Sequence, residues 1–175
     1  MARSAVLLRH EGEFPQLAPT AADCNRLVAN AKRKGTTWAM QLGIEMHEEA
    51  LTCAEVQLSR SRPGGFSREQ RYRYDSRTER WKTVSRQEER ALEESGNRGE
   101  LRGTLVPDIV IHTGDPLRAL GVYDFKFPCV NTGEAVDWDE YPPGHPHEGF
   151  SQGDMYRTLF NVKPMKVVPR LGIVQ

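Results

Sequence analysis

Two short apolar runs with a turn between them constrain this chain more than any other stretch. Val106 to Ile111 is rich in β-branched residues (Val106, Ile109, Val110 and Ile111) and is stopped by Thr113-Gly114-Asp115-Pro116, a turn by composition. From Leu117 the chain returns through a second apolar run, Ala119 to Phe127, so the two are predicted to pair as a hairpin. Acids sit where these runs begin and end: Pro107-Asp108 at the start of the first, Asp124-Phe125-Lys126 at the end of the second. Strand alternation sends Asp124 and Lys126 to one face, and Tyr123 and Phe125 to the other.

Hard oxygen donors such as Asp108 and Asp124 suit Mg²⁺, or Mn²⁺ in its place. Mg²⁺ takes one or two protein carboxylates and completes its shell with water and substrate phosphate. Lys126 on the same face would orient or deprotonate an attacking water and offset phosphate charge. A strand-end salt bridge is the plainer alternative, and these three residues by themselves leave both open.

Gly43-Ile44-Glu45-Met46-His47-Glu48-Glu49-Ala50-Leu51 lies within a helix predicted from about Thr36 to Leu58, with Ile44, His47 and Leu51 on one face. Further on, Gln152-Gly153-Asp154-Met155-Tyr156 sets Gln152 and Tyr156 one helical turn apart. Gly-x-x-x-His, Pro-Asp, Asp-x-Lys and Gln-x-x-x-Tyr, in that order over Gly43 to Tyr156, resemble the motif set of the PD-(D/E)xK nuclease superfamily, most closely its RecB-like branch. The resemblance implies an α/β fold with a restriction-endonuclease-like core: a helix, a mixed sheet of about four strands and a second helix, here with an N-terminal helical addition. It also implies Asp108 and Asp124 as metal ligands, the backbone carbonyl of Phe125 as a further ligand, and Lys126 as the catalytic lysine. The helical acid of the family falls on Glu48, and His47 matches the histidine that RecB-like members add to the metal shell. Glu45 and Glu49 compete with Glu48, because the Gly43 spacing selects His47 and no glutamate. Gln152 and Tyr156 match the helix that supports the site and touches the nucleic-acid backbone. Taken singly, His47 also reads as a core residue, and Gln152 with Tyr156 as an ordinary amphipathic helix.

With 175 residues and 38% hydrophobic content, the chain is expected to fold as one domain, 1–175, in which 1–35 is a helical extension and 36–175 the catalytic core. Lys+Arg and Asp+Glu both number 24, so net charge does not announce nucleic acid. The distribution is uneven, however: between Arg60 and Arg90 ten basic residues face five acids. Arg71 and Arg73, interleaved with Tyr72, Tyr74 and Trp81, have the composition of a surface that tracks phosphates and stacks on bases; a solvated hairpin with its aromatics in the core is the alternative. Cys24, Cys53 and Cys129 are an odd set without metal spacing, which predicts neither a disulfide framework nor a structural zinc, and a reducing compartment. The apolar part of Met1 to Arg9 is too short for a signal peptide, and no run approaches a membrane span.

Along the rest of the chain, Thr20-Ala21-Ala22-Asp23 predicts a capped helix to about Lys32, and Ser85-Arg86-Gln87-Glu88 a second capping box. Gln70 to Tyr74 and Arg80 to Val84 read as a hairpin, and Met165 to Val168 and Leu171 to Val174 as closing strands. Asn131 to Gly149 is a polar loop bearing Asp137, Asp139, Glu140 and Glu148, whose charge would repel DNA lying across it. Its His145 and His147 raise a zinc hydrolase as a minor alternative. Asp124-Phe125-Lys126-Phe127-Pro128-Cys129, followed by a polar loop and a glutamine-bearing helix, is similar to C-terminal nuclease domains of bacterial polymorphic toxins, including type VI secretion effectors. That similarity implies antibacterial DNA cleavage in a neighbouring cell, delivery without a cleavable signal, and a cognate immunity protein. A resident repair or recombination nuclease, or a non-catalytic nucleic-acid-binding module on the same fold, are the other expectations.

Overall fold

The computed structural model describes residues 2–14, 18–134 and 136–175. Along them run α1 (Ala2–Arg9), α2 (Ala21–Asn25), α3 (Trp38–Ser61), β1 (Phe66–Arg68), β2 (Arg71–Asp75), β3 (Arg80–Val84), α4 (Arg86–Glu94) and a 3-10 turn (Arg98–Leu101). β4 (Ile109–His112), β5 (Ala119–Phe125), α5 (Gln152–Phe160), β6 (Met165–Val168) and β7 (Gly172–Val174) complete the order. A mixed sheet has the strand order β1-β4-β5-β6-β7, and β2 and β3 form a separate hairpin. The protein is therefore mixed α/β. Its sheet has five strands where about four are expected, and the sequence conceals β1 because three residues are too few to display alternation.

The predicted central hairpin forms as its turn chemistry dictates. The Asp115 side chain accepts the Leu117 N–H at 3.0 Å and its carbonyl accepts the Arg118 N–H at 2.9 Å. β4 and β5 then pair antiparallel, with Ile109 opposite Tyr123 and Val110 opposite Val122. β5 closes at Phe125, short of the expected Phe127.

The chain divides into two compact units. One comprises residues 57–124 and 137–165 with Gln175; the other comprises 1–56, 125–136 and 166–174. In the former, Tyr72, Leu105, Val110, Val122, Met155, Tyr156 and Phe160 form the core. Tyr72 and Leu105 exchange both backbone hydrogen bonds, which ties the β2–β3 hairpin to the segment preceding β4. α5 starts at a capping box: the Ser151 hydroxyl receives the Asp154 N–H, and the Asp154 carboxylate receives the Ser151 N–H. Asn161, in the left-handed conformation (φ 53°), ends the helix. Only half of the predicted second box forms at α4. Ser85 Oγ accepts the Glu88 N–H at 3.1 Å, while the Glu88 carboxylate accepts from Arg73 at 2.5 Å. Among the described residues of Asn131 to Gly149 there is no helix or strand, and Ala135 lies outside the description.

In the other unit, Val6 and Leu7 of α1 and Phe14 bury against Trp38, Leu42 and Met46 of α3. The buried residues of α3 are Trp38, Leu42, Met46 and Leu51, so of the expected Ile44/His47/Leu51 face Leu51 is buried and Ile44 is not. Ile44 lies halfway round the helix between Leu42 and Met46 and is 65% exposed. The helix expected from Thr20 to about Lys32 is also corrected. Its capping box forms, but α2 stops at Asn25, because the following chain turns extended: Val28 donates to the Thr36 carbonyl and Leu27 bridges Thr37. Cys24 and Cys129 are joined in a disulfide, contrary to the cysteine arithmetic, and Cys53 is free and exposed. The pair is 105 residues apart in sequence, so only tertiary contact reveals it. Among the described residues no helix is long and apolar enough to cross a membrane.

Candidate active site

The site begins with the β4–β5 register. Ile109 faces Tyr123, so Asp108 and Asp124 each lie one residue beyond that pair, at adjoining ends of the two strands. Alternate residues of a strand share a face, and two residues along each chain lie Val110 and Val122, a directly opposed pair in the core. The two carboxylates therefore continue a buried apolar face to its end; they are 6% and 4% exposed. Such burial is costly for charge unless hydrogen bonds or a cation offset it.

α5 supplies part of that compensation. Tyr156, 1% exposed, has its hydroxyl 3.2 Å from Asp124 Oδ1 and 3.2 Å from the Val106 carbonyl oxygen. Gln152, one turn earlier, donates from Nε2 to the Tyr156 hydroxyl at 2.9 Å and toward Asp124 Oδ1 at 3.4 Å. Burial first, and then the nearby negative charges of Asp124 and Asp108, push the Tyr156 phenol well above its ordinary range. It stays a neutral donor throughout the working pH range of an enzyme. Two further residues shape this corner without a signal in the sequence. Trp138 meets the Tyr156 ring edge to face at 6.0 Å, and Gly153 makes room for it: a Cβ there would stand 2.7 Å from Trp138 Cγ.

The remaining metal-ligand and catalytic candidates of the expected set belong to the unit that contains the N-terminus. Lys126 follows the last residue of β5, and its N–H donates to the Val167 carbonyl at 2.9 Å, which keeps the backbone laddered onto β6 through the lysine. Phe125 lies edge to face with the His47 ring at 6.4 Å and stacks on Phe127 at 6.2 Å. Among the helical candidates, His47 is thus in ring contact with Phe125. Glu45, Glu48 and Glu49 line a different region, a cavity bounded also by Arg9, His10 and Trp38. Glu45 accepts from His10 at 2.8 Å and Gln41 at 2.5 Å, and Glu49 pairs with Arg9 at 3.2 Å.

Arg71 and Arg73 are engaged within the protein. Arg71 donates to Glu89 and Thr104, both at 2.6 Å, and Arg73 to Glu88. The Arg71 hydrogen bond holds the Glu89 carboxyl below its ordinary range despite some burial. A phosphate would have to compete with these acids. Tyr156 is likewise turned inward. In the polar loop, His147 Nε2 donates to the Gly103 carbonyl at 2.8 Å and His145 Nδ1 accepts the His147 N–H at 3.1 Å. Tyr141 stacks on His145 with ring centroids 4.4 Å apart. These bonds make the histidine pair a packing device.

Among the described residues no three His, Cys, Asp or Glu side chains converge as a metal cage. Two buried carboxylates are nonetheless a donor set that fits Mg²⁺, which draws the rest of its shell from water and phosphate, and not the closed nitrogen and sulfur shell of structural Zn²⁺. Comparison with protein-family models, with curated proteins and with solved structures finds no match.

Proposed function

We propose that this chain is a Mg²⁺-dependent nuclease that hydrolyses DNA phosphodiester bonds on a restriction-endonuclease-like core. The observation that carries the reading is the pair of buried carboxylates, Asp108 and Asp124, at adjoining ends of β4 and β5, with Gln152 and Tyr156 holding one oxygen of Asp124. A buried carboxylate oriented by neutral donors is how proteins prepare a ligand for a hard cation. When bound, the cation would polarise the scissile phosphate and acidify the attacking water. Asp108 and Asp124 would provide the anionic oxygens, to which the resemblance to RecB-like nucleases adds the Phe125 carbonyl and His47. Gln152 and Tyr156 orient the Asp124 carboxylate. Lys126 would position the water and balance the charge that develops on the phosphate. Incubating the purified chain with plasmid, linear DNA and RNA, in Mg²⁺ or EDTA, tests the reading: Mg²⁺-dependent loss of DNA is expected, and intact DNA with folded protein would overturn it.

Within this reading an exported antibacterial toxin is favoured over a resident repair nuclease by one feature, the Cys24–Cys129 disulfide, since such links persist in oxidising surroundings. A cognate immunity protein would then guard the producer by covering the Asp108/Asp124 corner. Expression in the bacterial cytoplasm should degrade the chromosome and arrest growth. Harmless expression of a chain that cleaves DNA in the test tube would return it to the repair class.

A further inference from the structure

We propose that a cavity of about 640 Å³, formed within residues 57–124 and 137–165, binds one unpaired nucleotide of a single strand, its base on Tyr74 and Trp81 and its phosphate on Arg102. The inference rests on the nucleic-acid reading above, but not on cleavage.

Three features of the cavity favour this occupant. The first is an aromatic platform. Tyr74 and Trp81 are cross-strand partners in the β2–β3 hairpin, with ring centroids 5.4 Å apart, and Tyr74 remains 47% exposed although Tyr72 on the same face is fully buried. A large ring left half in solvent beside a cavity offers a stacking surface that every base can use.

The second is a stiff opposing wall. Gly103 has φ +75°, and a Cβ there would stand 3.0 Å from Pro146, so only glycine lets the His145-Pro146-His147 segment close this near. His147 Nε2 on the Gly103 carbonyl fastens the segment in place. A slot whose walls are held before the ligand arrives loses little freedom on binding a flat ring.

The third is charge. Arg102 is exposed and donates one of its five N–H groups to the Gly144 carbonyl, which points the guanidinium along the cavity rim while its other donors serve a phosphate. Arg73, also in the lining, is held by Glu88, so Arg102 is the residue assigned to the phosphate. Within the lining itself Glu100 is the acid that opposes an anion. A base paired in a duplex is stacked on both faces and cannot enter such a slot, so the ligand is an unpaired nucleotide and not a double helix.

The test measures binding by the full chain in EDTA, by fluorescence anisotropy, with labelled oligodeoxythymidylate of about 12 nucleotides, the span of a typical single-strand site. A blunt duplex of equal length serves as the comparison. The single strand should bind more tightly than the duplex. Tyr74→Leu and Arg102→Gln should each weaken it by about tenfold, and Glu100→Gln should strengthen it, a gain that misfolding cannot imitate. Preference for the duplex, or unchanged affinity in all three variants with wild-type circular dichroism, would overturn the proposal. Plasmid cleavage in Mg²⁺, run on the same preparations, separates the two ideas. Cleavage together with a Tyr74→Leu variant that binds like wild type sinks the nucleotide site and spares the nuclease. Binding that depends on Tyr74 and Arg102 without any cleavage upholds the site and sinks the nuclease.

Discussion

The hydroxyl of Tyr156 stands 3.2 Å from Asp124 Oδ1, and the same oxygen is approached by Gln152 Nε2 at 3.4 Å. Tyr156→Phe keeps the ring packed on Trp138 and removes only the hydroxyl. It should lower stability by about 1–2 kcal/mol, since the Val106 carbonyl also loses a donor. Mg²⁺ affinity should fall by about 10-fold to 100-fold, the usual cost of losing an outer-shell partner. Denaturant unfolding and Mg²⁺ titration of cleavage measure the two effects, and unchanged metal affinity would mean that Tyr156 is structural only.

Asp108→Asn and Asp124→Asn should each abolish cleavage in a chain that stays folded, because each removes an anionic oxygen from the proposed cation site. The rise in Tm that Mg²⁺ gives the wild type should vanish in both variants. Cleavage at the wild-type rate by either folded variant would remove the carboxylate pair from the mechanism.

His47 and Glu48 are neighbours in sequence with different surroundings: the His47 ring meets Phe125, whereas Glu48 lines the cavity shared with Glu45 and Glu49. His47→Ala should therefore weaken Mg²⁺ binding by about tenfold or more, and Glu48→Ala should leave it close to wild type. Isothermal titration with Mg²⁺ decides, and the reverse pattern would return the ligand role to Glu48.

Reduction of the Cys24–Cys129 link should cost up to about 4 to 5 kcal/mol, the loop-closure entropy of a cross-link spanning 105 residues. Cys24→Ser, Cys129→Ser and the double variant should match one another and the reduced wild type in urea unfolding. Cys53→Ser should instead lose stability on reduction as the wild type does, because that thiol takes no part in the bond.

Acid should loosen the hairpin through Glu89. Its folded pKa lies below the ordinary glutamate value because Arg71 donates to it. The stabilisation is thus complete above the unfolded value of about 4.3 and is lost as pH falls through the lower folded one. Wild-type Tm should drop across that window more steeply than that of Glu89→Gln, which at neutral pH should itself be less stable by about 1 kcal/mol. Parallel Tm curves would show that the pair contributes nothing to the pH dependence.

Local signals carried most of the fold. The Asp115 turn, the Ser151/Asp154 box and the β-branched runs around Val110 and Val122 are effects of residues within a few positions of one another, so the sequence displays them. Asp108 and Asp124 were legible as a pair from the turn between their runs, and Gln152 and Tyr156 joined them through the resemblance to the nuclease motif set. What escaped depends on distant partners. The Cys24–Cys129 bond joins residues 105 positions apart. Trp138 and Gly153 matter only to each other, through a clearance of 2.7 Å. The buried stripe of α3 was misread because Ile44 has the right composition on the wrong side of Leu42 and Met46, a choice made by α1 and Phe14.

The bond between Cys24 and Cys129 makes a covalent ring of the chain between them, and both aspartates of the carboxylate pair lie inside that ring while α5 lies outside it. A protease that cuts once at an exposed turn within it, such as Arg77 to Glu79, would not release a fragment. The severed pieces would still travel as one molecule, separable only after reductant, so a nicked protein would run as a single species on a non-reducing gel and as two on a reducing one. Damage at a loop would then not amount to dismemberment.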